Sequence, residues 1–313
     1  MYLDKNSKIF LAGHNGMVGS AIYRKLKKKK YKDIIVINKK KLDLINQKQT
    51  FNFIKKIKPE YVILAAAKVG GILANQNNKA DFIYENLMIQ SNLMQASYLE
   101  GVKKFIFLGS SCMYPRNCKQ PIKEEYLLSG KLEKTNDAYA IAKIAGVKMC
   151  EAFNSQYGLN YLCLMPSNLY GPNDNYDLKT SHFFPALLRK IYSSKIKKKK
   201  QIEIWGNGKA KRELTYVDDL ADACEFFLKK KTKEVLINIG SGIEYTIQDY
   251  CKFIMKNLKH HVNIKKNLKF PNGTPRKILD CSLAKKYGWK SKYSLEKGFN
   301  LTLKDFLNKI NQL

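Results

Sequence analysis

The chain has 313 residues and a formal net charge of +31, with 57 lysine and arginine residues against 26 acidic ones. This length suffices for one large or two modest domains around a buried core. No apolar run is long enough to cross a bilayer, and the first residues resemble neither a signal peptide nor a transit peptide. We therefore expect a cytoplasmic protein without membrane association.

Neither the cysteines nor the lysines form a recognisable binding motif. The seven cysteines are an odd number without a Cys-x-x-Cys pair, which predicts reduced thiols and no metal site. The lysine clusters at 27–30, 197–200 and 229–231 are typical of helix ends and loops. They favour a solvated surface over a nucleic-acid-binding face, although their charge would attract a diphosphate ligand.

Apolar segments alternate with amphipathic ones through the first half of the chain. This pattern predicts helices between the strands, of which 81–100 and 138–157 are the longest. The strands are expected at 9–12, 34–37, 61–67, 105–109 and 161–165. The alternation predicts an α/β fold with a doubly wound parallel sheet of the Rossmann type, and we assign residues 1–168 to this domain.

From Ser167 onwards, prolines and asparagines interrupt the pattern and the elements become shorter. They are expected at 183–192, 202–205, 218–228 and 236–239. We interpret them as a smaller C-terminal α/β lobe that covers the carboxyl ends of the sheet and binds the substrate. Residues 169–313 are assigned mainly to this lobe, with segments that return to the first domain.

A glycine-rich turn lies between the first expected strand and the helix that follows it. Its glycines have the spacing Gly-x-x-Gly-x-x-Gly. Such a loop lets backbone amides approach a pyrophosphate at the N-terminus of a helix. We therefore expect a dinucleotide cofactor here, bound by Gly13, His14, Asn15, Gly16, Met17, Val18 and Gly19.

The residues after the second strand discriminate between the two nicotinamide cofactors. An acidic residue there binds the ribose hydroxyls of NAD, whereas cations accommodate the additional phosphate of NADP. The chain has Asn38, Lys39 and Lys40 at this point and no acid before Asp43. We predict NADP(H), with the two lysines near the phosphate. NAD(H) is the alternative, because lysine is frequent throughout the chain.

A tyrosine–lysine pair follows a Ser-Ser-Cys segment by about one loop. Tyr139 and Lys143 are four residues apart and share one helix face, so the ammonium is expected to lower the pKa of the phenol. Such a phenol can handle the proton when a hydride moves to or from a carbonyl carbon. Ser110 and Cys112 directly follow the fourth expected strand, and there we interpret Cys112 as a thiol of the site rather than a small buried hydrophobe.

Arginine is rare, since only five of the 57 cationic residues are arginines. Where most cations are lysines, a retained arginine indicates that a planar, bidentate donor is needed. Arg212 and Arg276, both in loop-like segments, are therefore candidates for contact with an anionic ligand. His182 precedes an expected helix, and a lone histidine is by itself more often an ordinary hydrogen-bonded residue.

Several motifs together resemble the GDP-L-fucose synthase family of extended short-chain dehydrogenases/reductases. The resemblance covers nearly the whole chain, and Lys68-Val-Gly-Gly71 and Ser110-Ser-Cys112 are close to diagnostic for it. The matching segments, which include these two motifs, are 13–20, 65–72, 80–86, 108–112, 139–146, 168–172, 185–189 and 273–277.

The resemblance implies an NADPH-dependent enzyme that epimerises C3 and C5 of GDP-4-keto-6-deoxy-D-mannose and then reduces the C4 ketone. Cys112 and His182 match the pair that exchanges the C3 and C5 protons on opposite faces, and we expect Cys112 as base and His182 as acid. Tyr139 would protonate the C4 oxygen, and Lys143 would tune Tyr139 and hold the nicotinamide ribose. Ser110 would hydrogen-bond the developing oxyanion.

The resemblance also implies binding positions outside the catalytic set. Lys190, Trp205, Arg212 and Asp280 match substrate positions, and Arg276 is a further candidate for the same pocket. Besides the glycine loop and the residues Ser110, Tyr139, Lys143 and His182, the expected cofactor contacts are Asn38, Lys39, Lys40, Ala65, Ala66, Leu108, Gly109, Pro166, Asn168 and Leu169. Asn15 and Asn38 are departures, because family members often have arginine there.

Family members pair through two long helices, so 81–100 and 138–157 are expected to form a homodimer interface. Another nucleotide-sugar reductase or 4-epimerase of the same fold is the main alternative, and a 4-epimerase would retain tightly bound cofactor. A 4,6-dehydratase is disfavoured because Ser111-Cys112-Met113 lacks the Asp-Glu pair of that group. A non-catalytic nucleic-acid-binding protein is disfavoured because all five catalytic candidates are present.

Overall fold

The structure is a computed structural model that describes residues 3–270 and 273–310. Its strands are β1 (Ile9–Ala12), β2 (Ile34–Ile35), β3 (Tyr61–Leu64), β4 (Lys104–Leu108), β5 (Tyr161–Pro166), β6 (Asn168–Tyr170), β7 (Gln201–Trp205), β8 (Lys211–Tyr216), β9 (Leu236–Ile239), β10 (Glu244–Thr246), β11 (Asn263–Asn267) and β12 (Arg276–Lys277). Its helices are α1 (Met17–Lys28), α2 (Gln47–Ile57), α3 (Ile72–Asn77), α4 (Lys79–Leu99), α5 (Asp137–Tyr157), α6 (Phe183–Ile196), α7 (Val217–Leu228), α8 (Ile247–Asn257), α9 (Ser282–Lys286) and α10 (Leu295–Ile310). Within these described ranges, no helix combines the length and the apolar character needed to span a membrane.

The larger layer is a six-stranded parallel sheet in the order β2-β1-β3-β4-β5-β9. Every residue of β1, β3, β4, β5 and β9 is buried, which explains why these strands are nearly continuous apolar runs. One face of the sheet packs on α1 and α7, and the other packs on α2, α4 and α5. The predicted α/β fold with a doubly wound parallel sheet is confirmed.

Two elements have the predicted type but lie in a different layer. The sequence predicts 218–228 and 236–239 in the smaller lobe, whereas α7 packs on the first core and β9 pairs with β5 in the main sheet. They are segments that return to the first layer. Local periodicity indicates that a segment is a strand, but its partner is set by contacts distant in sequence. β2 and β3 also end earlier than predicted.

The smaller lobe combines short strands with three helices around a core of its own. β8 pairs along its length with β6, β10 and β12, while β7 pairs with β11. α6, α8 and α10 enclose a core of aliphatic and aromatic side chains that includes Tyr170, Phe184, Tyr250 and Phe299. Residues of this lobe and of the segments after β4 and β5 line a common cleft. Parallel sheets bind their ligands at this end of the strands.

Candidate active site

The cleft between the sheet and the smaller lobe consists of two adjoining cavities of about 260 and 180 Å³. Both are lined by Ser110, Tyr139, Asn168 and His182. The larger cavity extends into the smaller lobe, and the smaller one extends along the strand ends toward α1. The fold therefore gathers four of the expected site residues, from distant parts of the chain, around one shared space.

The glycine turn brings β1, α1 and the end of β3 into close contact. Gly13 has a φ of +88°, and a Cβ atom there would lie 2.5 Å from the nitrogen of Ala66. A Cβ atom at Gly19 would lie 2.0 Å from the Gly13 carbonyl oxygen. Gly16 precedes α1 and offers no side-chain cap, so the first N–H groups of α1 are available to an anion.

The smaller cavity brings most of the expected cofactor positions together. Ala66 lies against Gly13, and His14 has a buried Nδ1 atom without a hydrogen-bond partner in the described part of the chain. A cavity at the strand ends, beside the first residues of α1, fits a nicotinamide dinucleotide. Its lining includes Met17, Val18, Ala65, Leu108, Gly109, Ser110, Tyr139, Lys143, Pro166, Asn168, Leu169 and His182.

An amide pair joins the glycine turn to the segment after β2. Asn15 Nδ2 donates to Asn38 Oδ1 at 2.6 Å, and Lys39 and Lys40 are exposed in the turn that follows. Asp43 is the next acid, and its carboxylate accepts the N–H of Ile45 at 3.1 Å. The sequence leaves no acidic residue between the end of β2 and Asp43, an arrangement compatible with the predicted preference for NADP(H).

Lys143 is buried on α5 and ties this helix to the end of β4. Its Nζ donates to the Leu108 carbonyl oxygen at 3.0 Å. The same atom lies 4.6 Å from the centre of the Phe107 ring and 5.9 Å from the centre of the Tyr139 ring. Burial lowers the pKa of Lys143 to about 8. The lysine therefore lies beside the phenol but directs its hydrogen bond elsewhere.

The pKa of Tyr139 shifts in the direction opposite to the sequence-based prediction. Burial and the nearby Cys112 raise this pKa, and the hydrogen-bonding hydroxyl of Ser110 opposes the rise. Lys143 does not offset the burial because its ammonium is directed at the Leu108 carbonyl. A phenol with a raised pKa is protonated at neutral pH, which suits a proton donor.

Cys112 lies in a short 3-10 turn directly after Ser110. Its Sγ donates to Ser110 Oγ at 3.2 Å, and although the residue is only 7% exposed it lines the larger cavity. Burial raises the pKa of the thiol, while Lys277, Ser110 and Lys143 oppose the rise. All seven cysteines of the chain are free thiols, but most of the others are buried in the core.

His182 directly precedes α6 and contributes to both cavities. The residue is exposed to the cleft. Desolvation by the surrounding protein lowers the pKa of its imidazole, and the positive charge of Lys277 lowers it further. The Gly71 N–H donates to the Thr180 carbonyl oxygen at 2.9 Å, and a Cβ atom at Gly71 would lie 2.5 Å from the Ser181 carbonyl oxygen. Glycine at position 71 thus allows the segment before His182 to approach the cleft.

These pKa directions bear on the expected roles of Cys112 and His182. A raised thiol pKa and a lowered imidazole pKa leave both groups neutral at neutral pH. Cys112 as base and His182 as acid instead require a thiolate and an imidazolium. For those roles, one proton must leave the thiol and one must reach the imidazole before the first exchange.

Three of the expected substrate residues line the larger cavity, namely Lys190, Trp205 and Arg212. Lys190 Nζ donates to the Glu203 carbonyl oxygen at 2.9 Å and lies 5.9 Å from the centre of the Trp205 ring. Arg212 Nη1 donates to the Lys211 carbonyl oxygen at 2.8 Å. Burial lowers the pKa of Arg212 to about 10, which still leaves it a cation at neutral pH.

Arg276 and Asp280 do not line either cavity, so their expected contact with the substrate stays a prediction. The Arg276 guanidinium pairs with Glu244 on the surface at 2.7 Å, and the Asp280 carboxylate accepts the Ser282 N–H at 2.8 Å. Lys277 lines the larger cavity instead and lies in register with Arg212 on the neighbouring strand. Successive residues of a strand face opposite sides, so Lys277 faces the cleft and Arg276, one position earlier, faces the surface.

The comparison with protein families agrees with this geometry. Residues 9–240 match the model described as the NAD dependent epimerase/dehydratase family. The chain belongs to this family. A nicotinamide cofactor is therefore supported both by the family and by the cavity beside the glycine turn.

Relatives within the family match nearly the whole chain. A GDP-L-fucose synthase of Sinorhizobium fredii is 46% identical over 99% of this chain and 98% of its own. The crystal structure of a GDP-6-OMe-4-keto-L-xylo-heptose reductase from Campylobacter jejuni has a TM-score of 0.92 at 37% identity, covering 99% of this chain and 100% of that chain. A GDP-L-fucose synthetase of Naegleria fowleri bound to NADP has a TM-score of 0.91 at 26% identity, covering 99% and 96%.

Replacing Lys277 by methionine is expected to slow the alkylation of Cys112 by iodoacetamide several-fold near neutral pH. The change removes the cation that most favours the thiolate, so the pH midpoint of alkylation should move upward. Mass spectrometry of the peptide that contains Cys112 measures the rate in the free protein. Arg276→Met removes the same charge from the outer side of β12 and should leave the midpoint in place. A K277M protein with the wild-type midpoint would contradict this influence of Lys277 on the thiol.

Proposed function

We propose that this protein is a cytoplasmic GDP-L-fucose synthase, which converts GDP-4-keto-6-deoxy-D-mannose into GDP-L-fucose with NADPH. One observation carries the proposal: Cys112 and His182 line the same cleft as Ser110 and Tyr139. A reductase that does not epimerise needs only Ser110 and Tyr139, together with Lys143. The full-length similarity to a GDP-L-fucose synthase supports the proposal, and seven free thiols suit a reducing compartment.

Epimerisation at C3 and C5 depends on the ketone at C4, which acidifies the C–H bonds on either side of it. Each inversion removes a proton from one face of the ring and returns a proton to the other, so two groups are needed. Cys112 and His182 are the candidate pair, with the thiolate as base and the imidazolium as acid. Lys277 favours the thiolate but disfavours the imidazolium, so it influences how protons are distributed between them.

Reduction at C4 uses the other pair of side chains. Tyr139 is kept protonated by its raised pKa and donates its proton to the C4 oxygen, with Ser110 as its hydrogen-bond partner. Lys143 holds α5 against the end of β4 and so positions the phenol. NADPH, when bound in the smaller cavity, supplies the hydride for this reduction.

The cofactor preference rests on Lys39 and Lys40. We expect NADPH to bind about tenfold more tightly than NADH at low salt, because two exposed lysines attract the additional phosphate. Titration of the protein with each cofactor, followed by fluorescence, measures the ratio. The double variant Lys39→Ala, Lys40→Ala should weaken the binding of NADPH and leave the affinity for NADH unchanged. NADH binding as tight as NADPH in the wild-type protein would refute the preference.

Deuterium incorporation separates the two halves of the reaction. With the keto sugar and NADPH in deuterated water, Cys112→Ser is expected to suppress deuterium uptake at C3 and C5 by more than about tenfold, and reduction to a smaller extent. Tyr139→Phe should do the reverse, because it removes the proton donor for C4 and leaves the exchanging pair intact. Mass spectrometry of the sugar and NADPH absorbance give the two rates.

The same assay tests the main alternative, a GDP-sugar reductase without epimerase activity. The similarity to a heptose reductase favours this alternative, and such an enzyme would oxidise NADPH without deuterium uptake at either carbon. Equal losses of uptake and reduction in both variants would contradict the proposed division between Cys112 and Tyr139.

We also propose a homodimer through the helices 81–100 and 138–157. In the structure these segments form α4 and α5, which pack against each other beside the sheet. Their outer faces expose large apolar side chains at Tyr84, Leu99, Ile141 and Tyr157. Covering them in a second copy would remove this apolar surface from water. Sedimentation at micromolar concentration should give a dimer, and a monomer would refute the interface.

A further inference from the structure

A buried carboxylate outside the cleft connects three segments of the smaller lobe. Glu213 on β8 is fully buried, and its two oxygens accept the backbone N–H of Gly242 at 2.7 Å and of Leu279 at 2.8 Å. The Ser241 hydroxyl lies 3.5 Å from the first oxygen. The side chain thus links β8 to the turn before β10 and to the segment after β12.

The environment of Glu213 is tight and holds no counter-ion. In the chain as described, Glu213 makes no ion pair, although cations outnumber acids about two to one overall. A Cβ atom at Gly240 would lie 2.2 Å from the carboxylate, so only glycine fits beside it. Burial raises the pKa of Glu213 to about 7, although the hydrogen bonds from the backbone N–H groups partly offset this rise. Burying an unpaired carboxylate is costly, and its backbone hydrogen bonds offset that cost.

The segments that Glu213 joins carry residues of the larger cavity. Side chains alternate along β8, so Arg212 lines the larger cavity while Glu213 faces the opposite side. Lys277 pairs in register with Arg212 and lies two residues before Leu279, which Glu213 holds. The Glu213 carbonyl oxygen also accepts from Asn168 Nδ2 at 3.3 Å. Glu213 therefore contacts the segment that carries Lys277, adjoins Arg212 in the chain and binds the side-chain amide of Asn168.

We propose that Glu213 is a positioning residue that fixes Lys277 relative to Arg212, so that the two cations together hold the diphosphate of a nucleoside diphosphate sugar. This inference deepens the proposed function and rests on it for the nature of the ligand. Glu213 itself does not touch the ligand. It acts by holding β12 and the turn before β10 against β8.

The competing explanation is that Glu213 only stabilises the fold. A stabilising residue lowers the unfolding midpoint when it is replaced, but it leaves the affinity of the folded protein for a diphosphate unchanged. Replacement of a positioning residue changes that affinity. The affinity of the cofactor cavity, on the other side of the cleft, for NADPH stays the same. Binding constants for the two ligands therefore separate the explanations.

Glu213→Gln keeps the size of the side chain but places an amide N–H₂ group against one of the two backbone N–H donors. We expect the Kd for GDP, measured by isothermal titration calorimetry, to rise about tenfold, and the Kd for NADPH to stay within about twofold. Glu225→Gln is the matched control. Glu225 is also buried and accepts from the Tyr31 hydroxyl at 3.0 Å, but it lies on α7 outside the cleft lining. Its replacement should leave the Kd for GDP unchanged.

Wild-type GDP affinity in a folded E213Q protein would overturn the proposal. Should E213Q fail to fold, hydrogen exchange of the wild-type protein gives the answer: saturating GDP should slow the exchange of the Gly242 and Leu279 amides, and unchanged exchange would overturn it. A wild-type protein that binds UDP but not GDP would refute the proposed function alone, and the same comparison would then be made with UDP. Binding of neither nucleotide would overturn both.

Discussion

The hydrogen bond from the Lys143 ammonium to the Leu108 carbonyl oxygen holds the helix of the tyrosine against the main sheet. It joins α5 to the last residue of β4, directly before Gly109 and Ser110, in a buried position against the Phe107 ring. Tyr139 lies one helical turn before Lys143, so the same contact fixes the phenol beside the serine. The Ser110 hydroxyl in turn accepts a hydrogen bond from the Cys112 thiol, which connects this thiol to Ser110 and Tyr139.

Charge is distributed unevenly along the cleft. Burial leaves Tyr139, Cys112 and His182 neutral at neutral pH, so the space they share holds groups that can donate or accept protons. Arg212 and Lys277 line the larger cavity, in register on neighbouring strands. A site of this kind combines electrostatic attachment of a diphosphate with proton transfer at a sugar ring.

Much of the fold could be predicted because its determinants are local. Buried strands, amphipathic helices, the glycine turn and the Tyr139–Lys143 spacing are all patterns within a few residues, and the structure places them as expected. What the sequence could not specify depends on distant contacts. The pairing of β9 with β5 and the packing of α7 are set by tertiary structure, and the two-residue strand β12 gave no periodicity to distinguish Arg276 from Lys277. The pKa of Tyr139 was mispredicted because burial by the whole cleft outweighs one neighbouring lysine.

One cleft is proposed to perform both proton exchange at C3 and C5 and reduction at C4. GDP should therefore inhibit both reactions from the same site. Its inhibition constant can be measured for deuterium uptake, with NADP⁺ present so that reduction cannot follow, and for NADPH oxidation by the keto sugar. We expect one inhibition constant for the two reactions. Two clearly different constants, or exchange that GDP does not inhibit, would contradict it.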